Sequence, residues 1–210
     1  MVFYFTSTVV DPPVTLFMGE DKHENESLIR WGWPEDVWFH VDKVSSAHVY
    51  LRLNPGQTLD DVDMAVIEDA AQLVKANSIQ GNKMNDIDVV YTLWENLHKT
   101  ESMEAGQVGF HKQKEVRKIR VAKRENVVVN RLNKTKEERT SVDFREEREK
   151  RDRSEREEKK KAFKASEDAR KAEEKARKEE SERKSYSTYM TDEKMTSNQG
   201  GGGSDSDDFM

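Results

Sequence analysis

The sequence predicts an α+β head, a mixed and mostly antiparallel sheet with a covering helix, followed by a long charged α-helix and a disordered tail. Three observations carry this. Strand-like and helix-like segments interleave before residue 124 without the βαβ regularity of a doubly wound sheet. Residues 134–184 hold 37 charged residues out of 51, too few apolar groups for a core. The last 26 residues are polar and acidic and hold four consecutive glycines, a composition that does not fold. The expected boundaries are 1–124 for the head, 125–184 for the charged helix and 185–210 for the tail.

In the head, Val2-Phe3-Tyr4-Phe5-Thr6 is β-rich, Asp11-Pro12-Pro13 turns the chain, and Val14 to Met18 returns it, so a hairpin is expected. Asn25 is placed as the cap of a short helix that runs through Trp31 and stops at Gly32 and Pro34. Val37–Val41 and Ala47–Leu53 are strands around a Ser45-Ser46 turn. Thr58, three residues before Asp61, reads as a variant capping box. Beyond it, Val62, Val66, Ala70, Leu73 and Val74 repeat at helical spacing, predicting a helix that ends near Asn77 and covers one side of the sheet. Ile87–Thr92 reads as a buried strand, and Gly106–His111 with Val116–Val121 as a late hairpin. From Glu125 the pattern is helical.

The charged block has no glycine or proline over residues 143–184. Glu precedes Lys or Arg by four residues at ten places, including Glu155–Lys159, Glu167–Lys171, Glu174–Lys178 and Glu180–Lys184. At about 0.2–0.5 kcal/mol each, such pairs total roughly 2–5 kcal/mol and can hold an isolated helix. Ala162, Ala165, Ala169, Ala172 and Ala176 follow heptad spacing, but alanine knobs bury little, so self-association through this seam is expected to be weak. The helix reads as a spacer or as an arm for a protein partner. In the tail, Ser204 and Ser206 among aspartates are candidate phosphorylation sites, each able to add about −1.5 to −2 charge.

Composition excludes several functions. There is no cysteine, hence no disulfide framework, thiolate metal site or cysteine nucleophile. No stretch approaches the roughly 18–20 apolar residues of a membrane span. A cytoplasmic location is expected, with the nucleus as a second compartment and a membrane-associated pool left open. Phosphate-loop, dinucleotide, zinc-protease and nucleophile-elbow motifs are all absent. His40 and His48 lie near Asp36 and Asp42, but a metal site needs three or four ligands in set geometry, so no metal and no cofactor are expected. With no oxyanion donor or orienting carboxylate identifiable, the protein is read as a non-enzyme.

The strongest electrostatic feature is Lys112–Arg124, seven cations against Glu115 alone, in a chain of net charge −6. Lys112, Lys114, Arg117, Lys118 and Arg120 are therefore candidate phosphate contacts. Aromatics on the same sheet, including Trp38, Tyr91 and Phe110, are candidates for stacking on unpaired bases, and Trp31 and Trp33 for an exposed surface.

Several blocks together resemble a known family. These are Met18-Gly19-Glu20-Asp21-Lys22-His23-Glu24-Asn25, Asp36-Val37-Trp38-Phe39-His40-Val41, Ser45-Ser46-Ala47-His48-Val49, Ala70–Ser78, Val89-Val90-Tyr91-Thr92 and Gly106–Phe110. In order and over about 120 residues they resemble the NFACT-R domain, also called domain of unknown function 814. The resemblance implies a nucleic-acid-binding module, RNA or DNA, whose larger relatives engage stalled large ribosomal subunits and tRNA in ribosome-associated quality control. By the resemblance Gly19, Asp21, Asn25, Asp36, Trp38, His40, Ser46 and His48 sit on the family's motif positions; of these Asn25, Trp38, His40 and His48, together with neighbouring Lys22, join the candidate contacts. Departures are Glu20 where a basic residue is common, Ser46-Ala47-His48 for Gly-Ser-His, Lys75-Ala76-Asn77-Ser78 for Ala-Tyr-Tyr-Ser, and an acidic Glu101–Gly106 for a basic Lys-Pro-Gly stretch. The competing expectation is a protein-interaction adaptor working through the charged helix.

Overall fold

The computed structural model describes residues 1–140 and 142–185. Ser204 and Ser206 lie outside them. The expected hairpin is β1 (Val2–Ser7) against β2 (Val14–Gly19). There follow α1 (Lys22–Trp31), β3 (Asp36–Val41), β4 (Val49–Arg52), a 3₁₀ turn (Leu59–Asp61), α2 (Met64–Ala76) and β5 (Ile87–Leu93). The short strands β6 (Leu97–His98) and β7 (Gly109–Phe110), β8 (Arg117–Val121), α3 (Asn126–Lys134), β9 (Glu137–Arg139) and α4 (Phe144–Lys184) complete the order. Seven strands form one sheet in the order β8-β5-β3-β4-β2-β1-β9. Every neighbouring pair in it is antiparallel. β6 and β7 make a separate two-stranded ribbon.

Strand alternation sorts side chains onto two faces. Phe5, Leu16, Val37, Phe39, Val41, Leu51 and Val89 face α2 and α3, meeting Val66, Ala70, Leu73, Val74 and Leu132. Tyr50, Trp38, Phe17 and Val90 point the other way, toward Leu28 of α1 and Phe144. This second face is narrower, and part of it stays open to solvent.

Four expectations change. Asp21, not Asn25, caps α1, its Oδ1 accepting from the N–H groups of His23 (2.8 Å) and Glu24 (2.9 Å). Asp61 does reach back to the Thr58 N–H (2.8 Å), but this closes the 3₁₀ turn, and Asp63 caps α2 through the Ala65 N–H (2.8 Å). The late hairpin does not form: β7 pairs with β6, and β8 adds to β5 at the sheet edge. The helix expected from Glu125 is interrupted. Thr135 ends α3 by accepting from the Thr6 N–H (2.9 Å) and donating to Leu132 O (2.8 Å), and the chain then adds β9 to β1.

The compact unit accordingly runs from Met1 to Arg151, past the boundary expected at residue 124. Buried Phe144, a hydrogen bond from Arg148 to Gly32 O and an ion pair between Arg151 and Glu35 secure the first turns of α4 within it. Residues from Asp152 form the second unit. Its helix carries the expected ladder, with Glu155–Lys159 (2.5 Å), Glu167–Lys171 (2.8 Å), Glu174–Lys178 (2.9 Å) and Glu180–Lys184 (2.8 Å). The alanines of the heptad seam are exposed.

Candidate functional site

Strand register joins two groups of residues that are far apart in sequence. On the open face His40 of β3 lies opposite Val90 of β5, and Val90 lies opposite Lys118 of β8. One step along, the Asp42 N–H donates to Asp88 O (2.8 Å) and Asp88 lies opposite Arg120. The resemblance motif and the basic strand therefore share one surface. A cleft of about 540 Å³ opens there. Trp38, His40, His48 and Val90 line it, with Phe110 and residues 106–108 as one wall and Lys43 on the rim.

The wall is fixed from below. Glu26 of α1 accepts from the Gly106 N–H (2.6 Å) and from Lys99 Nζ (2.8 Å). Buried Asn96 donates to Thr92 Oγ1 (3.0 Å) and Lys112 O (2.9 Å) and accepts from the Lys112 N–H (2.7 Å). Phe110 meets Trp38 edge to face at 5.7 Å.

The two histidines have different roles. The Trp38 indole N–H donates to His48 Nδ1 (2.7 Å), so the proton of His48 sits on Nε2 and the ring is neutral. Burial, with His40 close by, pushes the His48 pKa down to about 3. His40 stacks on Trp38, with ring centroids 5.5 Å apart and planes within 2°. Its Nδ1 donates to Val41 O (2.6 Å), leaving Nε2 as an acceptor in the neutral ring, and burial lowers its pKa also. The row thus presents a half-exposed neutral imidazole backed by a buried indole.

Trp38 and His48 are 2% and 8% exposed, so the reading of both as direct contacts is corrected: they build the floor. Asn25 is corrected likewise, since it is buried in α1 and accepts from the Tyr50 hydroxyl (3.0 Å). Close packing brings it there, for a Cβ at Gly19 would sit 3.0 Å from the Asn25 nitrogen. Lys22 is exposed on the first turn of α1, outside the cleft. Tyr91 is buried on the opposite face. Trp31 and Trp33 are half-buried and already covered, by Arg30 and Arg145 and by Arg52 at 3.6 Å.

The basic strand is less positive than its sequence implies. Lys112 pairs with Glu115 (2.8 Å), Arg117 with Asp60 (2.5 Å), Lys118 with Asp42 (2.7 Å) and Arg120 with Asp88 (3.1 Å). Lys114 and Lys123 have no ion pair among the described residues. Alternation turns Arg117 away from the cleft face and Lys118 and Arg120 toward it. Exposed pairs contribute only about 0–1 kcal/mol, so a phosphate can replace Asp42 on Lys118 at little cost.

Sequence reasoning missed Lys43. Its φ of 65° is left-handed, unusual for a lysine, and turns the chain at the cleft rim. The missing signal is conformational rather than compositional. Among the described residues no group of three or more His, Cys, Asp or Glu is arranged to hold a metal. No described helix is long and apolar enough to cross a membrane. A second cleft of about 750 Å³ lies beside Trp94, His98 and His111. Its Lys99 is already committed to Glu26 and to the carbonyl groups of Glu104 (2.7 Å) and Gln107 (2.9 Å).

An antiparallel α+β domain with a ribbon-walled cleft, extended by a charged helix, defines the class. The chain belongs to the family described as NFACT protein RNA binding domain, which matches residues 1–112. Coiled-coil domain-containing protein 25 of Danio rerio is 60% identical over 210 residues, 100% of both chains. The protein of that name in Mus musculus is 54% identical over 211 residues, again 100% of both. Protein JLP2 of Saccharomyces cerevisiae is 45% identical over 143 residues, covering 66% of this chain and 69% of its own. Among solved structures, the C-terminal part of the fibronectin/fibrinogen-binding protein from Streptococcus suis is similar in fold, with a TM-score of 0.50 and 21% identity, over 64% of this chain and 49% of that one.

Proposed function

We propose that this protein binds RNA, without catalysing a reaction, by taking a single-stranded segment into the cleft over β3 and β5. The observation that carries this is the cross-strand row of His40, Val90 and Lys118, which sets an imidazole acceptor, an apolar floor and a cation side by side. Sequence-specific RNA recognition works on unstacked bases, which need such a combination of apolar wall, hydrogen-bonding edge and phosphate contact. Phe110 and Val90 offer the wall, His40 Nε2 accepts from a base amino group or a 2′-hydroxyl, and Lys43, Lys118 and Arg120 take phosphates. The family description supports RNA over DNA. tRNA and the RNA of a large ribosomal subunit are the natural sources of such a strand, given the resemblance.

The test is fluorescence anisotropy of a labelled ten-nucleotide RNA against the full chain. Wild-type protein should bind more tightly than the ~10⁻⁴ M end of non-specific affinity. K118E/R120E should bind at least about tenfold more weakly, while R117E, on the opposite side of the same strand, should stay near wild type. Equal binding by all three proteins would refute the cleft as the site.

A further inference from the structure

One of the four departures from the family pattern has a structural task outside the cleft. Lys75, in the last turn of α2, is fully buried. Its Nζ donates to the carbonyl oxygens of Gly81 (3.0 Å) and Met84. Burial pushes its pKa down, opposed by Asp86. A buried ammonium is expensive to desolvate, so these contacts hold the loop that follows α2 firmly against the helix end.

Other bonds pin the same loop. Ser78 Oγ donates to Ser45 O (2.6 Å) and accepts from the Gly81 N–H (2.9 Å). Arg124 donates to Asn82 Oδ1 (2.9 Å). A Cβ at Gly81 would lie 2.8 Å from Ser78 Oγ, which ties that position to glycine.

This braced loop displays apolar groups outward. Ile79 is 87% exposed and Met84 47%. Lys83 lies within the loop, which also holds Asp86; Lys123 adjoins Arg124, which bonds the loop's Asn82, and Lys43 is two residues from the Ser45 contact. None of these three lysines has an ion pair among the described residues. Lys43 and Ser45 also line the cleft, so loop and cleft adjoin.

We propose that the loop 78–86 is a rigid wedge that caps the end of an RNA stem, so that the preferred ligand is a stem with a single-stranded extension entering the cleft. The proposal rests on the RNA-binding reading above. A cleft of about 540 Å³ takes a nucleotide or two and excludes a duplex, so the strand inside it is unpaired. Isoleucine and methionine are among the side chains that wedge against base steps, so this loop suits the exposed end base pair of a stem beside the cleft. Lys43, between the two, takes the phosphate at the junction, and Lys83 and Lys123 take those of the stem.

The experiment compares three labelled RNAs on the full chain: a ten-nucleotide single strand, the same strand extending from a hairpin stem, and the blunt stem. The extended stem should bind about tenfold more tightly than the single strand, the weight of one stacking contact. I79S/M84S, altered only at exposed positions, should lose that advantage and keep single-strand binding. K75M should lose it as well, because the brace is gone. Equal affinity for strand and extended stem in wild type, or an undiminished advantage in I79S/M84S, overturns the wedge while leaving the cleft intact. Loss of binding to all three RNAs in wild type overturns the RNA reading itself.

Discussion

His48 is a histidine whose charged form the fold does not admit. Its Nδ1 is used by Trp38, and burial with His40 close by lowers its pKa to about 3, against about 6.5 in the unfolded chain. Above pH 6.5 both states are neutral and nothing changes. As pH falls from 6.5 toward 3 the unfolded chain takes up a proton that the folded chain refuses, so stability drops by up to about 1.4 kcal/mol per pH unit. His40, shifted the same way, adds to the fall. Urea unfolding between pH 7 and 4 should show this loss, and H48Q, which keeps an acceptor for the indole, should flatten it. A second residue-scale prediction concerns Asp36, fully buried and bonded to Arg52 at 2.9 Å and 3.1 Å. Asp36→Ala strands a guanidinium between Trp33 and Phe17 and should cost about 3–5 kcal/mol by urea unfolding. At this scale the sequence is only partly legible. Of the motif residues, Trp38, His40 and His48 come together at the cleft while Asn25 lies buried in α1, because sequence cannot tell a polar group that faces solvent from one satisfied inside. Asn25 looks like a ligand contact until Tyr50, 25 positions away, is seen to bond it.

At the scale of elements, local signals read well where pairing is local. The β1–β2 hairpin, α2 and the charged helix follow from turn residues, helical spacing and Glu–Lys ladders. The pairings of β8 and β9 do not. Arg117–Val121 is legible as a strand, but its partner is β5 rather than the segment just before it, and Glu137–Arg139, wholly charged, carries no apolar alternation that would announce its pairing with β1. Capping is testable here: Asp21→Ala removes the acceptor for two N–H groups of α1 and should cost about 1 kcal/mol of unfolding free energy. The helix from Asp152 to Lys184 depends on exposed ion pairs, which salt screens. A peptide of residues 152–184 should therefore lose helical circular dichroism between 0.01 and 1 M NaCl. A salt-independent signal would mean that something other than its charge ladder holds it.

At the scale of the whole molecule, function depends on register, which sequence does not display. The motif around His40 and the basic run around Lys118 are 78 positions apart, and only the β3–β5–β8 pairing sets them in one row. The same pairing supplies Asp42 and Asp88 to that row, so the local charge is lower than the run alone implies. Binding should still follow salt. Two or three phosphate contacts predict a slope of roughly −1.4 to −2.1 for log affinity against log salt on single-stranded RNA. The most direct test of the cleft is ultraviolet cross-linking of the full chain to a single-stranded RNA, with the adducts located by peptide mass spectrometry. The account predicts adducts on the segments that carry His40 to Ser45 and Phe110. Adducts confined to residues 152–184 would contradict it and make the charged helix the binding element.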